Sequence, residues 1–379
     1  MLLIAMLMSL CATGGCRQST WPLWVSYSSR FIDAQGRVID PQGGDRTTSE
    51  GQAYAMFFSL AGNDRPMFDR LLGWTQNNLA QGNLAAHLPA WLWGKTPEGS
   101  WKTLDPNSAS DADAWMAYTL VEAGRLWRNP AYTDLGRGMM AQIAKSEVDN
   151  LPGFGLMLMP GPKGFQQGNK WTLNPSYEPE FIFERFAAID PSGPWGQIAA
   201  SIPRFLLESA AHGWAMDWVN YEPGDGFYPA QVQVTGSKKP VAPGGSYDAI
   251  RVYLWTGMID AANKARGEVL NAIPSMGLYL SNHDAPPDNV NDQGIPSAKD
   301  GPVGFSAAVL PYLRAFPNLS RASAAETIRM DAQRDSTTGL YGKEVAYYDQ
   351  NLALFATGFI DGRFSFGRGG ELKVGWKRR

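Results

Sequence analysis

The sequence predicts an all-α protein, and three observations carry that prediction. Eleven segments along the chain have apolar residues at helical spacing. The connections between them are rich in turn-forming residues, with 41 Gly and 26 Pro in 379 residues. After the N-terminal segment there is no long apolar run, low-complexity linker or abrupt change of composition. We therefore expect helical hairpins stacked in one domain over residues 17–379.

The eleven predicted helices are spread over the whole length of that domain. They cover residues 50–61, 66–79, 111–128, 131–146, 178–187, 194–211, 247–265, 268–280, 304–316, 320–334 and 347–360. In the third, Met116, Leu120, Ala123 and Trp127 form one apolar stripe, which marks a face packed against neighbours. One more helix in a loop or near a terminus would complete six hairpins, enough for a closed ring. Periodicity alone does not show that the ring closes.

The N-terminal segment has the profile of an export signal. Residues 1–15, MLLIAMLMSLCATGG, are apolar, too few to span a membrane and closed by small residues, so we predict a signal peptide over residues 1–16. The run from Thr13 to Cys16 loosely matches a lipoprotein cleavage site, which would make Cys16 the lipidated first residue of an outer-membrane lipoprotein. A plain cleavable signal is the alternative. Both predict a periplasmic or secreted protein of the bacterial envelope.

Charge and motif content exclude several classes of function. A formal net charge of -3 provides no basic surface for nucleic acid, and a neutral substrate fits better than a charged one. The histidines His87, His212 and His283 show no metal-ligand spacing, and HExxH, CxxC, GxSxG and phosphate-loop patterns are absent. We therefore expect no metal, no cofactor and no nucleotide, and chemistry carried out by carboxyl groups.

Tryptophan is unusually frequent, with 14 residues. Trp91, Trp93 and Trp101 occur in loop-like sequence beside proline, glycine and charged residues. An indole packs well against the apolar C–H face of a pyranose ring, so these three are candidates for a sugar-binding groove. Burial in the core is the alternative, and it is the interpretation we favour for Trp115 and Trp127 on a predicted helix.

Glu50 lies in the first turn of a predicted helix. Ser49 can cap this helix, and Gln52 would complete a capping box. A solvated glutamate favoured by the helix dipole is the ordinary explanation. That dipole would keep Glu50 ionised, so a role as proton donor requires burial to outweigh it.

Two further helix starts also carry carboxylates. Asp111 and Asp113 open one of them, where capping of free N–H groups is the ordinary explanation and contact with a sugar hydroxyl the functional one. Asp248 opens the other, with Ser246 as the expected cap and Arg251 at i+3 able to pair with Asp248. An ionised Asp248 would suit a general base. If inner helices of a ring begin at one end, these carboxylates converge on one mouth.

The same motifs resemble glycoside hydrolase family 8, and within it the members associated with bacterial cellulose synthase. The stretch 109–127, which opens Ala109-Ser110-Asp111-Ala112-Asp113, is similar to the family signature, with Thr119 a small departure. Further similar stretches are 47–52, 74–79, 88–95, 174–177, 246–252 and 301–308. The resemblance runs from about Trp21 to near Glu371.

This resemblance implies an (α/α)6 barrel of six helical hairpins that hydrolyses β-1,4-glucan, the cellulose chain, with inversion. It implies Glu50 as general acid and Asp248 as general base, about 6.5 to 9.5 Å apart with a water between them. Asp111 matches the carboxylate that contacts the sugar at the cleavage point. Substrate-binding positions expected around them are Trp91, Trp93, Trp101, Asp113, Tyr177 and Arg251. A partnership with a cellulose synthase complex is implied as well.

Two alternatives remain open on the sequence. A related enzyme could act on xylan or chitosan, although the near-balanced charge is unlike the acidic groove that cationic chitosan favours. A barrel that binds glucan without cutting it would fit every tryptophan, and only the paired carboxylates argue against it.

Overall fold

The computed structural model describes residues 20–233 and 240–377. The predicted signal peptide over residues 1–16, including Cys16, lies outside these residues, so signal and lipidation stay predictions. Within the described part of the chain, no helix is both long and apolar enough to cross a membrane.

Helices dominate the described residues, and the all-α prediction is confirmed. They are α1 (Pro22–Phe31), α2 (Ser49–Ala61), α3 (Arg65–Leu79), α4 (Ser110–Trp127), α5 (Pro130–Ser146), α6 (Glu180–Ile189), α7 (Trp195–Ser209), α8 (Ala249–Met258), α9 (Arg266–Ala272), α10 (Ser275–Leu280), α11 (Val303–Arg314), α12 (Ser320–Ala332) and α13 (Tyr347–Ile360). The twelfth barrel helix, which periodicity left unassigned, is α1 at the N-terminal end of the described chain.

The helices form an inner and an outer ring. Helices α2, α4, α8 and α11 are buried on nearly every side, as expected of an inner ring. Inner neighbours α2 and α4, α4 and α6, α8 and α11, and α11 and α13 pack together, and each inner helix also packs against an outer one. Phe57 of α2 stacks on Phe355 of α13 and so joins the first and last inner helices. The predicted six hairpins of an (α/α)6 barrel are therefore confirmed.

Nine of the predicted helices match the structure to within two residues at each end, and the other two differ more. The helix predicted over 268–280 is split into α9 and α10, because Pro274 cannot donate the backbone hydrogen bond that a continuous helix needs. The helix predicted over 247–265 is only α8, which ends at Met258. Its apolar pattern continues into a connection whose Arg266 donates through Nε to the Ile259 carbonyl at 3.1 Å.

The connections between helices carry short antiparallel strands that the sequence analysis did not predict. They are β1 (Thr47–Thr48), β2 (Leu92–Lys95), β3 (Trp101–Asp105), β4 (Val148–Leu151), β5 (Gly155–Leu158), β6 (Gln166–Gln167), β7 (Lys170–Leu173), β8 (Val219–Glu222), β9 (Gly226–Pro229), β10 (Gly244–Gly245), β11 (Val290–Asn291), β12 (Phe364–Phe366) and β13 (Leu372–Val374). The largest sheet has the order β6-β7-β8-β9, and another has the order β1-β2-β3.

The start of α2 differs from the predicted capping box. The cap is Thr48, whose hydroxyl accepts from the Gly51 N–H at 3.1 Å, so Ser49 as cap is wrong. Gln52 is fully buried and accepts from the Val38 N–H at 2.7 Å while donating to the Thr75 hydroxyl at 2.9 Å. Hydrogen bonds to residues distant in sequence therefore replace the predicted capping box. Gln52 therefore ties the start of α2 to the outer layer.

The core is rich in aromatic rings, with Trp115 near its centre. Its ring lies 5.0 Å from Phe57 and 5.0 Å from Phe355, centroid to centroid, and 5.1 Å from Trp255. The core interpretation of Trp115 is confirmed. Trp127 packs against the same core and donates through Nε1 to Asn63 Oδ1 at 2.7 Å.

We expect Gly257→Ala to destabilise the barrel by about 1 to 3 kcal/mol. A Cβ at Gly257 would lie 2.2 Å from the backbone nitrogen of Tyr312 and 2.3 Å from the carbonyl carbon of Pro311, so α8 and α11 would have to separate. Gly267→Ala is the matched control: its Cβ meets nothing within 4 Å, and alanine in a helix gains about 0.5 to 1 kcal/mol. Thermal unfolding of both variants measures the difference, and equal shifts would contradict the close packing of α8 on α11.

Candidate active site

The guanidinium of Arg251 joins the three helix starts singled out in the sequence. Its Nη1 donates to Glu50 Oε2 at 2.5 Å, and its Nη2 donates to Asp248 Oδ1 at 2.8 Å. Asp111 Oδ2 lies 3.8 Å from the same Nη2. The first turns of α2, α4 and α8 therefore meet at one end of the barrel, as predicted for inner helices that begin at the same mouth.

A second set of contacts fixes the orientation of Arg251. Ser176 Oγ accepts from Nη2 at 2.8 Å and from Nε at 3.3 Å. The Ser176 carbonyl accepts in turn from Trp255 Nε1 at 3.0 Å, and the guanidinium carbon lies 5.8 Å from the centroid of the Tyr177 ring. Ser176 was not among the predicted site residues, although it occurs in the motif 174–177. Its signal was its position beside Tyr177.

Glu50 has the protonation behaviour that a proton donor needs. Burial raises the pKa of Glu50 to about 7 although Arg251 lowers it, and the negative charges of Asp111 and Asp248 raise it further. The side chain is 19% exposed, so it remains open to a substrate. Desolvation thus outweighs both the helix N-terminus and the ion pair. Burial that outweighs the helix dipole is the condition that a proton-donor role for Glu50 requires.

Asp111 faces the same centre from α4. Its Oδ1 accepts from the Ala112 N–H at 2.7 Å, so part of the carboxylate caps its own helix. Burial raises the pKa of Asp111 to about 6, while Arg251 acts in the opposite direction. The other oxygen, Oδ2, is the one near Arg251. Capping and a role in the site therefore coexist in one side chain.

Asp248 occupies the N-cap position of α8 but makes no capping bond of its own. The predicted cap, Ser246, is also wrong, because its hydroxyl donates to Asp217 Oδ2 at 2.6 Å. Asp217 accepts the backbone N–H groups instead, and nothing in the local sequence indicated it. With an exposed fraction of 28%, the Asp248 side chain is free to bind Arg251 and solvent.

Glu50 and Asp248 are bound to different nitrogens of one guanidinium, so they share a site without hydrogen bonding to each other. They do not lie at opposite ends of the molecule, an arrangement that would have excluded a joint acid–base role. In the described ranges 20–233 and 240–377, no three or more His, Cys, Asp or Glu residues are grouped to hold a metal ion. The positive charge at the centre of this site comes from Arg251.

A cavity of about 810 Å³ reaches this cluster through Tyr177, whose ring lies 5.8 Å from the Arg251 guanidinium carbon. Trp91 and Tyr177 line it, as do Phe165 and Trp218, whose rings are parallel within 2° with centroids 6.0 Å apart. The polar part of the lining comes from the strands and the loops beside them: Asp105, Asn107, Lys163, Gln167, Lys170, Thr172, Asn220 and Gln231. Aromatic faces beside hydroxyl-binding groups suit a carbohydrate. Phe165 and Trp218 were not predicted; their signal was only the abundance of aromatic residues.

Trp93 and Trp101 lie outside the lining of this cavity. Their rings stack on each other with centroids 5.0 Å apart, and the Arg37 guanidinium lies 4.6 Å from each ring. Trp101 is 41% exposed. The two indoles form an aromatic cluster on the β2–β3 hairpin, and their role in substrate binding stays a prediction.

Asp113 is fully buried on α4 and does not line the cavity. Its carboxyl group pairs with that of Glu147, which is also fully buried, and Ser108 Oγ donates to Glu147 Oε1 at 2.5 Å. Burial raises the pKa of Asp113 and raises that of Glu147 to about 8. Two carboxyl groups in contact without solvent hold at least one proton between them. Asp113 thus lies behind the site wall and Ser108 on it.

Comparison with known proteins decides the family. The sequence model of the family described as "Glycosyl hydrolases family 8" matches residues 2–361 of this chain. The chain belongs to this family. It is therefore a glycoside hydrolase, and the enzyme class implied by the sequence is confirmed.

Relatives of the family 8 chain extend over nearly its whole length. An "Endoglucanase" of Salmonella typhi is 43% identical over 378 residues, covering 99% of this chain and 95% of that protein. An "Endoglucanase" of Xanthomonas axonopodis pv. citri is 41% identical and covers 94% and 90%. The crystal structure of an endo-1,4-D-glucanase from Vibrio fischeri has a TM-score of 0.83 at 36% identity, covering 94% and 99%.

The Asp113–Glu147 pair predicts a specific pH dependence of stability. Because the folded-state pKa of Glu147 is raised to about 8, the pair's contribution is complete below the unfolded value of about 4.3 and declines as pH rises towards 8. Glu147→Gln mimics the protonated form. Between pH 5 and 9 we therefore expect the free energy of unfolding of this variant to fall less than that of the wild type, by on the order of 1 to 3 kcal/mol. Urea unfolding at several pH values measures it.

The exposed Glu268 of α9 offers a matched control for that experiment. Glu268→Gln changes the same chemical group outside the core, so its stability curve should run parallel to that of the wild type. Parallel curves for Glu147→Gln as well would mean that the buried carboxyl pair holds no proton that the unfolded chain releases.

Proposed function

We propose that this family 8 hydrolase is an endo-β-1,4-glucanase that cuts cellulose chains with inversion, using Glu50 as general acid and Asp248 as general base. One observation carries the proposal: a single guanidinium binds both carboxyl groups beside an aromatic and polar cavity. The names of the relatives at 41% and 43% identity support the substrate.

The acid step needs a carboxyl group that still holds its proton near neutral pH. The pKa of about 7, raised by burial, allows Glu50 to protonate the glycosidic oxygen as the bond breaks. In the free enzyme Glu50 Oε2 accepts from Arg251, which leaves Oε1 to carry the proton towards the substrate. Protonation of Glu50 weakens the hydrogen bond to Arg251, because a neutral acceptor binds a guanidinium less strongly than a carboxylate does.

The base step needs a carboxylate across the sugar from Glu50, with a water between base and anomeric carbon. Asp248 is held by Arg251 through one oxygen and is 28% exposed, which leaves its other oxygen for that water. Inverting enzymes keep their two carboxyl groups about 6.5 to 9.5 Å apart, room for the attacking water. A bridge through one guanidinium is compatible with such a gap.

The sugar itself would be held by aromatic faces and by Asp111. Trp91 and Tyr177 offer ring surfaces in the cavity, and Asp111 Oδ2 faces the same centre as the two catalytic carboxyl groups. Lys163 and Lys170 in the lining disfavour cationic chitosan through like-charge repulsion. Initial rates on carboxymethylcellulose, xylan and chitosan separate the three substrates, with the first expected to be highest.

We expect Glu50→Gln to reduce kcat on cellopentaose by at least about 1,000-fold while oligosaccharide binding stays within a few-fold. The amide keeps the shape of the side chain but has no acidic proton to give. Calorimetric titration with cellopentaose provides the binding control. Unchanged turnover would remove Glu50 from the mechanism and mean that another group donates the proton.

The stereochemistry is a separate test. Proton NMR of a fresh cellopentaose digest should show the α-anomer first, because water attacks opposite the departing β-linked sugar. Early appearance of the β-anomer would contradict inversion even if the substrate were correct.

The pH profile of kcat/KM should lose activity on its alkaline side near pH 7. A general acid works only while protonated, and the pKa of Glu50 is raised to about 7 by burial, so activity present below this pH falls above it. Initial rates on cellopentaose between pH 4 and 10 measure the limb. A limb near pH 4.5 would mean that burial does not govern Glu50.

We also propose export to the bacterial envelope and action beside a cellulose synthase. Both rest on the N-terminal segment and on family resemblance. The mass of the mature protein tests export, since removal of residues 1–15 with a lipid on Cys16 gives a different mass from plain cleavage. Lipid loss in Cys16→Ser would support a lipoprotein.

A further inference from the structure

We propose that Asp217 is a positioning residue for the general base: its carboxylate caps α8 in place of Asp248 and so frees Asp248 to act on water. This inference rests on the proposed role of Asp248. Asp217 was not predicted from the sequence and lies 31 residues before the aspartate it serves.

One carboxylate binds the whole turn that leads into α8. Asp217 Oδ1 accepts from the backbone N–H groups of Ser246 at 2.8 Å, Asp248 at 3.0 Å and Ala249 at 2.7 Å. Its Oδ2 accepts from the Ser246 hydroxyl at 2.6 Å. Four charge-assisted hydrogen bonds on residues 246–249 fix the backbone from which the Asp248 side chain projects.

The four N–H groups at the start of α8 are all satisfied without the Asp248 side chain. Asp217 takes those of Asp248 and Ala249. The Ser246 carbonyl accepts from Ile250 at 3.0 Å, and the Asp248 carbonyl accepts from Arg251 at 3.0 Å. An aspartate at an N-cap ordinarily spends its carboxylate on such groups. Here the Asp248 carboxylate is left to bind Arg251, and its side chain stays 28% exposed.

Asp217 can hold this turn because it is itself held tightly. Its side chain is buried, and its own N–H donates to the Gly244 carbonyl at 2.7 Å. A Cβ at Gly245 would lie 2.2 Å from the Ala215 carbonyl oxygen, so the two segments touch backbone to backbone. The Ala215 N–H donates to the Tyr253 hydroxyl of α8 at 3.1 Å, which links the segment before Asp217 directly to α8.

The same segment also reaches the cavity. Trp218 follows Asp217 directly and contributes its ring to the aromatic wall beside Phe165. Burial, followed by the nearby charge of Asp248, raises the pKa of Asp217 to about 6, so the carboxylate is mostly ionised at neutral pH. The position of the base and one wall of the sugar site are therefore set by adjacent residues.

Three substitutions at Asp217 test the proposal in the full-length enzyme. Asp217→Asn keeps an oxygen that can accept the three N–H groups, so kcat on cellopentaose should stay within about threefold of wild type. Asp217→Ala removes the clamp, and kcat should fall about 30- to 100-fold with KM within twofold. Asp217→Glu keeps the charge but moves the oxygens by one methylene, and kcat should fall at least about tenfold. If Asp217→Ala does not fold, Asp217→Glu tests the proposal in its place.

A substrate with an activated leaving group shows which half of the reaction is affected. β-Cellotriosyl fluoride needs no proton donor, so Glu50→Gln should regain activity on it. The Asp217→Ala defect should be the same on the fluoride and on cellopentaose, because the water attack is impaired. Recovery of Asp217→Ala on the fluoride would overturn the proposal by assigning Asp217 to the acid side.

Asp64→Ala is the matched control for simple loss of a helix cap. Asp64 caps α3 by accepting from the Met67 N–H at 3.2 Å, so this variant should lose stability yet keep kcat. An equal fall of kcat in Asp64→Ala and Asp217→Ala would reduce Asp217 to a stability role. Asp248→Asn separates the two hypotheses: if it stays active, the proposed base is wrong, whereas an inactive Asp248→Asn with a fully active Asp217→Ala overturns only the inference.

Discussion

The arrangement of this enzyme depends on a buried guanidinium shared by three carboxyl groups. Arg251 is 4% exposed and contacts Glu50, Asp248 and, more distantly, Asp111. A buried positive charge needs such partners, and carboxyl groups this close repel one another without it. The buried guanidinium and the clustered carboxyl groups would each be unstable without the other. The barrel must therefore bring the starts of α2, α4 and α8 to one end, and the aromatic core around Trp115 provides the rigid packing that does so.

At this site, helix capping and the proposed chemistry are assigned to different atoms in three ways. Asp111 does both, since one of its oxygens accepts an N–H of its own helix while the other faces Arg251. Asp248 is relieved of capping altogether by Asp217. Glu50 lies in the first turn of α2, which Thr48 caps. In each case the helix N-terminus is satisfied by something other than the carboxylate oxygen that faces Arg251.

Much of this protein could be predicted without coordinates. Helical spacing of apolar residues indicated every described helix except α1, because the period of 3.6 is a local property that burial of one face imposes on sequence. The carboxylates at the helix starts were visible for the same reason: a small polar residue before a helix and an acid in its first turn are local signals. The resemblance of long motifs to glycoside hydrolase family 8 added the barrel and the enzyme class, which family membership bears out.

Tertiary structure decided everything that depends on partners far apart in the chain. Gln52 forms hydrogen bonds with Val38 and Thr75 instead of the predicted capping box. Asp217, and not Ser246, accepts the N–H groups at the start of α8. The cavity wall of Phe165 and Trp218 comes from the neighbourhood of strands whose pairing joins residues some fifty positions apart. The pKa of Glu50 likewise depends on burial that no local pattern encodes. Sequence determines which residues favour a helix start, whereas only the folded chain decides which of them meet and which oxygen is left free.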